Sequence, residues 1–112
     1  MQIPLQITLR DIAHSPTLEA RIREKVAGLE RSHPRITSCR VTVTDSGKHH
    51  QQGHQFEVRI DVRESAHAEI VVNRKHDEDV YVALRDAFDS AKRQLEEVHS
   101  EKRSYVKAAG TP

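Results

Sequence analysis

The stretch Asp77-Glu78-Asp79-Val80-Tyr81-Val82-Ala83-Leu84-Arg85-Asp86-Ala87-Phe88-Asp89-Ser90-Ala91-Lys92-Arg93-Gln94-Leu95 carries its apolar residues at helical spacing. Val80, Leu84, Ala87, Phe88, Ala91, Leu95 and Val98 fall on one stripe, which has to be buried against another layer. The remaining faces alternate acid and base. The spacing predicts one long amphipathic helix from about Asp77 to Arg103. Arg85–Asp89 and Asp89–Arg93 are i,i+4 pairs of opposite charge, each worth roughly 0.2–0.5 kcal/mol as solvated helix support.

Working back from that helix, the layer it covers is a sheet. Ile3, Leu5, Ile7 and Leu9 alternate with polar residues, a period-two strand with one inward face. Pro4 cannot donate to a ladder, so this strand starts late or lies at an edge. Cys39, Val41 and Val43 alternate with Arg40, Thr42 and Thr44, and Phe56, Val58, Ile60 and Val62 with Glu57, Arg59, Asp61 and Arg63. A polar loop from Asp45 to Gly53 joins these two strands, and a turn around Glu64–His67 leads to a fourth strand, Ala68 to Asn73. Between the first and second strands, Ser15 is an N-cap with Pro16 at the first helical position and Glu19 in the first turn. Leu18, Ile22, Val26 and Leu29 then form a narrow apolar stripe, and Pro34 ends this helix.

The order is therefore β-α-β-β-β-α. One apolar stripe per helix and one apolar face per strand give an α+β two-layer sandwich, with both helices on one face of a four-stranded mixed sheet. A right-handed crossover makes the first two strands parallel if they are neighbours, and short connections make the others antiparallel.

At 112 residues the chain has room for one domain, taken as residues 1–106 with a flexible tail at 107–112. With 36% hydrophobic residues and no Trp, its core is thin and mostly aliphatic. No apolar run reaches the length of a membrane span and the N-terminus lacks a signal-peptide pattern, which together imply a cytoplasmic protein without a membrane partner. The single cysteine, Cys39, allows neither an internal disulfide nor a cysteine-based zinc site. It lies on the inward side of its strand and reads as a small buried hydrophobe. His49, His50 and His54 invite a metal reading, but they lack Cys or carboxylate at ligand spacing, and a polar hairpin loop is the stronger reading. A histidine beside phosphate would add charge below neutral pH. Without a nucleophilic triad, a phosphate loop or a paired-carboxylate cleft, the chain does not read as an enzyme, and no cofactor is expected.

The net charge is +1, from 18 Lys+Arg against 17 Asp+Glu, so any phosphate-binding surface has to be a local patch. Residues 16–35 carry five basic and three acidic side chains, and residues 77–107 six basic and eight acidic.

Asp79-x-Tyr81-x-Ala83-Leu84 followed by Asp89-x-x-x-Arg93-Gln94-Leu95 resembles the last helix of the ribosome hibernation factors. This family includes hibernation-promoting factor and ribosome-associated inhibitor A and is also called the sigma-54 modulation protein family. The Lys25-Val-Ala-Gly-Leu-Glu30 ending of the first helix, Arg35-Ile36 and Glu69-Ile70 add to the likeness, which covers about residues 2–103. The resemblance implies a non-enzymatic protein that binds ribosomal RNA of the small subunit in the decoding region and blocks messenger and transfer RNA when the cell is starved or cold. It also implies a short form that lacks the dimerising domain of long members, is monomeric off the ribosome, and has a longer paralogue as a further partner. By position it nominates Lys25, Arg31, Arg35, Arg85, Lys92, Arg93, Lys102 and Arg103 as RNA contacts. On a helical wheel Arg85, Lys92 and Arg103 share one flank outside the buried stripe. Where the family tends to be lysine-rich after Arg-Gln-Leu, this chain has Glu96, Glu97 and Glu101.

Two other readings compete. A double-stranded RNA-binding domain shares the α-β-β-β-α part, but such domains resemble one another in placing lysines at the start of the last helix, where this chain has Asp77-Glu78-Asp79. The alternative of another class is a protein-interaction regulatory module of the same fold with weak or no RNA binding, docking through the open sheet face or an acidic flank.

Overall fold

The computed structural model describes residues 3–45, 55–64 and 69–109; within the last stretch, side chains are described at 70, 72 and 76–98. The His49, His50 and His54 loop and residues 110–112 lie outside the described residues. Six elements follow in the order β1 (Leu5–Arg10), α1 (Pro16–Ser32), β2 (Ile36–Asp45), β3 (Phe56–Glu64), β4 (Glu69–Asp77) and α2 (Val80–Ala109).

The strands lie in sequence order, β1-β2-β3-β4. β1 pairs parallel with β2, with Leu5 opposite Cys39 and Ile7 opposite Val41. The β2–β3 and β3–β4 pairs are antiparallel, with Val41 opposite Ile60 and Val62 opposite Ile70. Pro4 precedes β1, which is an edge strand, and its carbonyl accepts from the Cys39 N–H at 3.0 Å. The sheet is thus the mixed one expected from the connections. The chain leaves β1 through Asp11, whose φ of 58° lies in the left-handed region that Asp tolerates better than most residues.

Helix α1 starts where the cap residues place it. The Ser15 hydroxyl accepts from the Leu18 N–H at 3.2 Å, with Pro16 at the first helical position. It ends before Pro34 with His33 as C-cap, whose N–H reaches the Leu29 carbonyl. Helix α2 starts later than its acidic lead-in suggests. Asp77, read as the first residue of the helix, is the last of β4, and the strand read as ending at Asn73 runs four residues further. Two side chains mark the switch. Asp77 Oδ1 accepts from the Asp79 N–H at 2.9 Å, and Asp79 Oδ1 accepts from the Tyr81 N–H at 2.8 Å. The acids are therefore turn and cap residues, for which a short side-chain acceptor suits better than for a helical interior.

One core cluster joins the stripes of both helices to the inward face of the sheet. Leu18, Ile22, Val26 and Leu29 of α1 meet Cys39, Val41 and Val43 of β2, while Leu84, Phe88 and Leu95 of α2 lie over β3 and β4. Ala83, Ala87 and Ala91 are fully buried, and these small side chains let α2 lie close to the strands. Both helices cover the same face. No element among the described residues covers the opposite face, which β1, β2 and β3 build from their alternate residues. Among the described residues no helix is long and apolar enough to cross a membrane.

Candidate nucleic-acid interface

The helical layer presents a seam between α1 and α2. Strands β1, β2 and β4 run in one direction and each helix returns over the sheet, so the two helices run parallel. One contact marks their relative height: the Arg21 guanidinium lies 6.0 Å from the centroid of the Tyr81 ring. At such an exposed site this cation–π contact is worth roughly 0.5–1 kcal/mol. One helical turn further along, the same spacing sets Lys25 of α1 abreast of Arg85 of α2, and Lys92 follows on the Arg85 flank. Lys25 is half-buried; Arg85 and Lys92 are exposed.

Helical spacing from the Arg21–Tyr81 contact thus puts Lys25, Arg85 and Lys92 of the nominated set on the facing flanks, together with Arg21, which sequence reasoning missed. Nothing in the α1 periodicity tells which flank of that helix faces α2; only the Arg21–Tyr81 contact does. Tyr81, 42% exposed, is the one large hydrophobic side chain exposed among the described residues and stands at the head of the seam.

Other nominated residues lie elsewhere. Arg93 is exposed on the outward ridge of α2, about 100° round the helix from Lys92. Arg31 and Arg35 are exposed at the far end of α1 and in the turn after it. Arg31 and Glu30 border a depression of about 680 Å³ with Ile3, Pro4 and Ala27. Lys102 and Arg103 lie on α2, but their side chains fall outside the described residues.

The i,i+4 pairing expected on α2 does not form. The Arg85 guanidinium donates from Nε and Nη2 to Oδ1 of its neighbour Asp86, at 3.3 and 3.2 Å, and not to Asp89. Asp89 and Arg93 make no ion pair either among the described residues. Arg85 is therefore partly neutralised, whereas Lys25 and Lys92 have no acidic partner there. With both Arg85 and Asp86 well exposed, that ion pair contributes little to folding.

Cys39 sits in the core, 3% exposed, with its thiol pushed up to about 12 by burial and, secondarily, by the Asp61 carboxylate. A thiol held protonated is no nucleophile. No group of His, Cys, Asp and Glu among the described residues is arranged to hold a metal ion.

The structure is similar to a ribosomal subunit interface protein from Coxiella burnetii, with a TM-score of 0.74 at 14% identity, covering 88% of this chain and 99% of that one. It is also similar to the N-terminal domain of Protein Y from Thermus thermophilus, with a TM-score of 0.69 at 20% identity and the same coverages. At such identities the likeness is one of fold. No curated protein matches the sequence. The family described as Sigma 54 modulation protein / S30EA ribosomal protein matches residues 5–103, nearly the whole chain, and the chain belongs to that family.

Proposed function

We propose that this domain is a ribosome-associated translation silencer, acting without catalysis in the cytoplasm. Residues 1–106 bind ribosomal RNA of the small subunit in the decoding region and occupy the space of messenger and transfer RNA. The observation that carries the reading is the seam itself: cations from two helices, Arg21, Lys25, Arg85 and Lys92, gathered on one side of a domain of this family. Phosphates of folded RNA would be met by these side chains, and the rigid sandwich would set the pose. The two similar structures, a ribosomal subunit interface protein and a Protein Y domain, support the same reading. The domain acts as a monomer off the ribosome, and a longer paralogue is a further candidate partner.

Co-sedimentation with purified small subunits tests this. Reversing Lys25 and Lys92 together (Lys25→Glu, Lys92→Glu) removes two phosphate contacts and adds two repulsions, which should weaken binding by roughly 10- to 100-fold at low salt. Reversing Arg93 or Arg31 alone should cost much less. A protein partner would instead give a shallow salt response and tolerate the seam reversal. Failure of the wild-type chain to pellet with subunits at low ionic strength would sink the proposal.

A further inference from the structure

The open face of the sheet carries a second cationic array that no motif announces. Reading across the registered strands, successive outward levels hold Ser38 and Arg63; Gln6, Arg40 and Asp61; Thr8, Thr42 and Arg59; and Arg10, Thr44 and Glu57. Each level contributes one arginine. Levels on one face of a strand are two residues apart, so the guanidiniums follow one another at roughly 6.7 Å along the strand axis. Arg63 and Arg59 stand on β3, Arg40 beside them on β2 and Arg10 on β1, making a column that crosses the sheet obliquely. All four arginines are exposed. Arg10, Arg40 and Arg59 make no ion pair among the described residues.

Two carboxylates belong to the same face. Glu57 is engaged by His76 of β4, with Nε2 3.0 Å from Oε1. Asp61 is half-buried beside Arg40, and its Oδ1 is shielded from solvent without a hydrogen-bond partner. Shallow depressions of about 390 and 240 Å³ run along the column, both bordered by Gln6, Arg40 and Asp61. Between the arginines the face offers hydroxyl and amide groups. Among its described residues the one aromatic ring is the imidazole of His76, held against Glu57 at the margin of the face, so the column itself offers no platform for stacking bases.

We propose that this arginine column is a second RNA-binding surface, which takes the sugar–phosphate backbone of one extended strand without reading its bases. The chemistry favours this occupant over others. Guanidinium groups recurring once per level, staggered across β3, β2 and β1, suit an anion repeated along a pliable chain, and their planar forks suit phosphate oxygens. The intervening hydroxyls and amides suit phosphate and ribose oxygens. The column lies on the opposite layer from the helical seam, so the domain can hold RNA on two sides at once. The inference does not rest on the seam, nor on ribosome binding.

Fluorescence anisotropy with a labelled twelve-nucleotide polyuridine tests it, using the full chain at low salt. Wild type should bind with log K falling against log[salt] at a slope of roughly −3, the value for about four phosphates on a single strand. Arg40→Glu with Arg59→Glu should weaken oligonucleotide binding at least tenfold. Arg23→Glu with Arg93→Glu changes net charge equally at exposed helix positions outside both the column and the seam, and should leave it within about threefold. Asp61→Asn, which removes a carboxylate from the column, should tighten binding two- to threefold. If the reversed arginines compromise folding, as read by circular dichroism, Arg40→Gln with Arg59→Gln should still lose about fivefold. No oligonucleotide binding by wild type, or equal losses from the sheet variant and the helix control, would overturn the proposal. So would polyglutamate competing as well as RNA at equal charge, which would make the column a site for acidic protein.

Discussion

Raising the pH should unfold this protein earlier than its cation content alone requires, and Cys39 is the reason. Its thiol lies in β2 between Leu5 of β1 and Val62 of β3, 3% exposed, and is pushed from an ordinary 9.0 to about 12, first by burial and then by Asp61. A raised folded value fixes the sign. Below 9 both states keep the proton and the full stability is present; between 9 and 12 the unfolded chain releases a proton that the native state retains. Stability therefore falls as pH rises, by about 1.4 kcal/mol per pH unit, and is about 2 kcal/mol lower at pH 10.5 than at pH 8 from this group alone. Lysines and tyrosines titrate in the same range, so the measurement is a difference. Urea denaturation at pH 8 and pH 10.5 is compared for wild type and Cys39→Ala. The substitution itself costs about 1 kcal/mol at pH 8, through lost packing. Wild type should then lose about 2 kcal/mol more than the variant between the two pH values. Parallel losses in the two proteins would show that the thiol ionises as easily folded as unfolded, and would refute the reasoning.

Three further outcomes are expected. Asp86→Asn releases the Arg85 guanidinium from its ion pair and adds a usable cation to the seam; small-subunit affinity should rise about threefold at low salt, and unfolding free energy should change by less than about 0.5 kcal/mol. Asp79→Ala removes the side-chain acceptor for the Tyr81 N–H and should cost about 1 kcal/mol in urea denaturation, whereas Asp89→Ala, on an exposed face of α2, should cost much less. Leu84→Ala empties a fully buried site against the sheet and should cost about 2–5 kcal/mol, a large share of the roughly 5–15 kcal/mol that holds a domain of this size, seen as a lowered urea midpoint with unchanged slope.

Most of the architecture was legible because its determinants are local. The Ser15–Pro16 start of α1, the stripe Leu18–Leu29 and the alternation in β2 and β3 each specify an element within a few residues. The junction of β4 with α2 was harder to read, since three consecutive acids suit the first turn of a helix as well as a pair of side-chain-capped turns. The ladder to β3, with Glu57 opposite His76 and Phe56 opposite Asp77, decided for the strand. The site was legible only in part for a different reason. Helical periodicity identified the flank carrying Arg85 and Lys92, but Arg21 joins it through the relative height of two helices. The arginine column depends on register between strands as much as 50 residues apart in sequence, and no window along the chain contains it.

The near balance of 18 cations against 17 carboxylates argues less strongly against RNA binding than the sum suggests, because charge is sorted by what each group touches. Asp77 and Asp79 are turned onto backbone N–H groups at the head of α2, where the helix dipole offsets their charge. Asp86 is committed to Arg85 and Glu57 to His76, while Asp45 and Glu64 are buried. The cations are distributed otherwise. Lys92, Arg40, Arg59 and Arg10 all point to solvent, and the charge of none of them is quenched by a partner among the described residues. At ionic strengths where the Debye length is about 8–10 Å, an approaching phosphate responds to the groups within that radius and hardly at all to the chain's total. Local sorting of this kind lets a chain of almost zero net charge bind an anionic polymer. It also makes that binding unusually sensitive to single substitutions such as Asp86→Asn and Asp61→Asn, since removing one carboxylate changes the local field far more than it changes the sum.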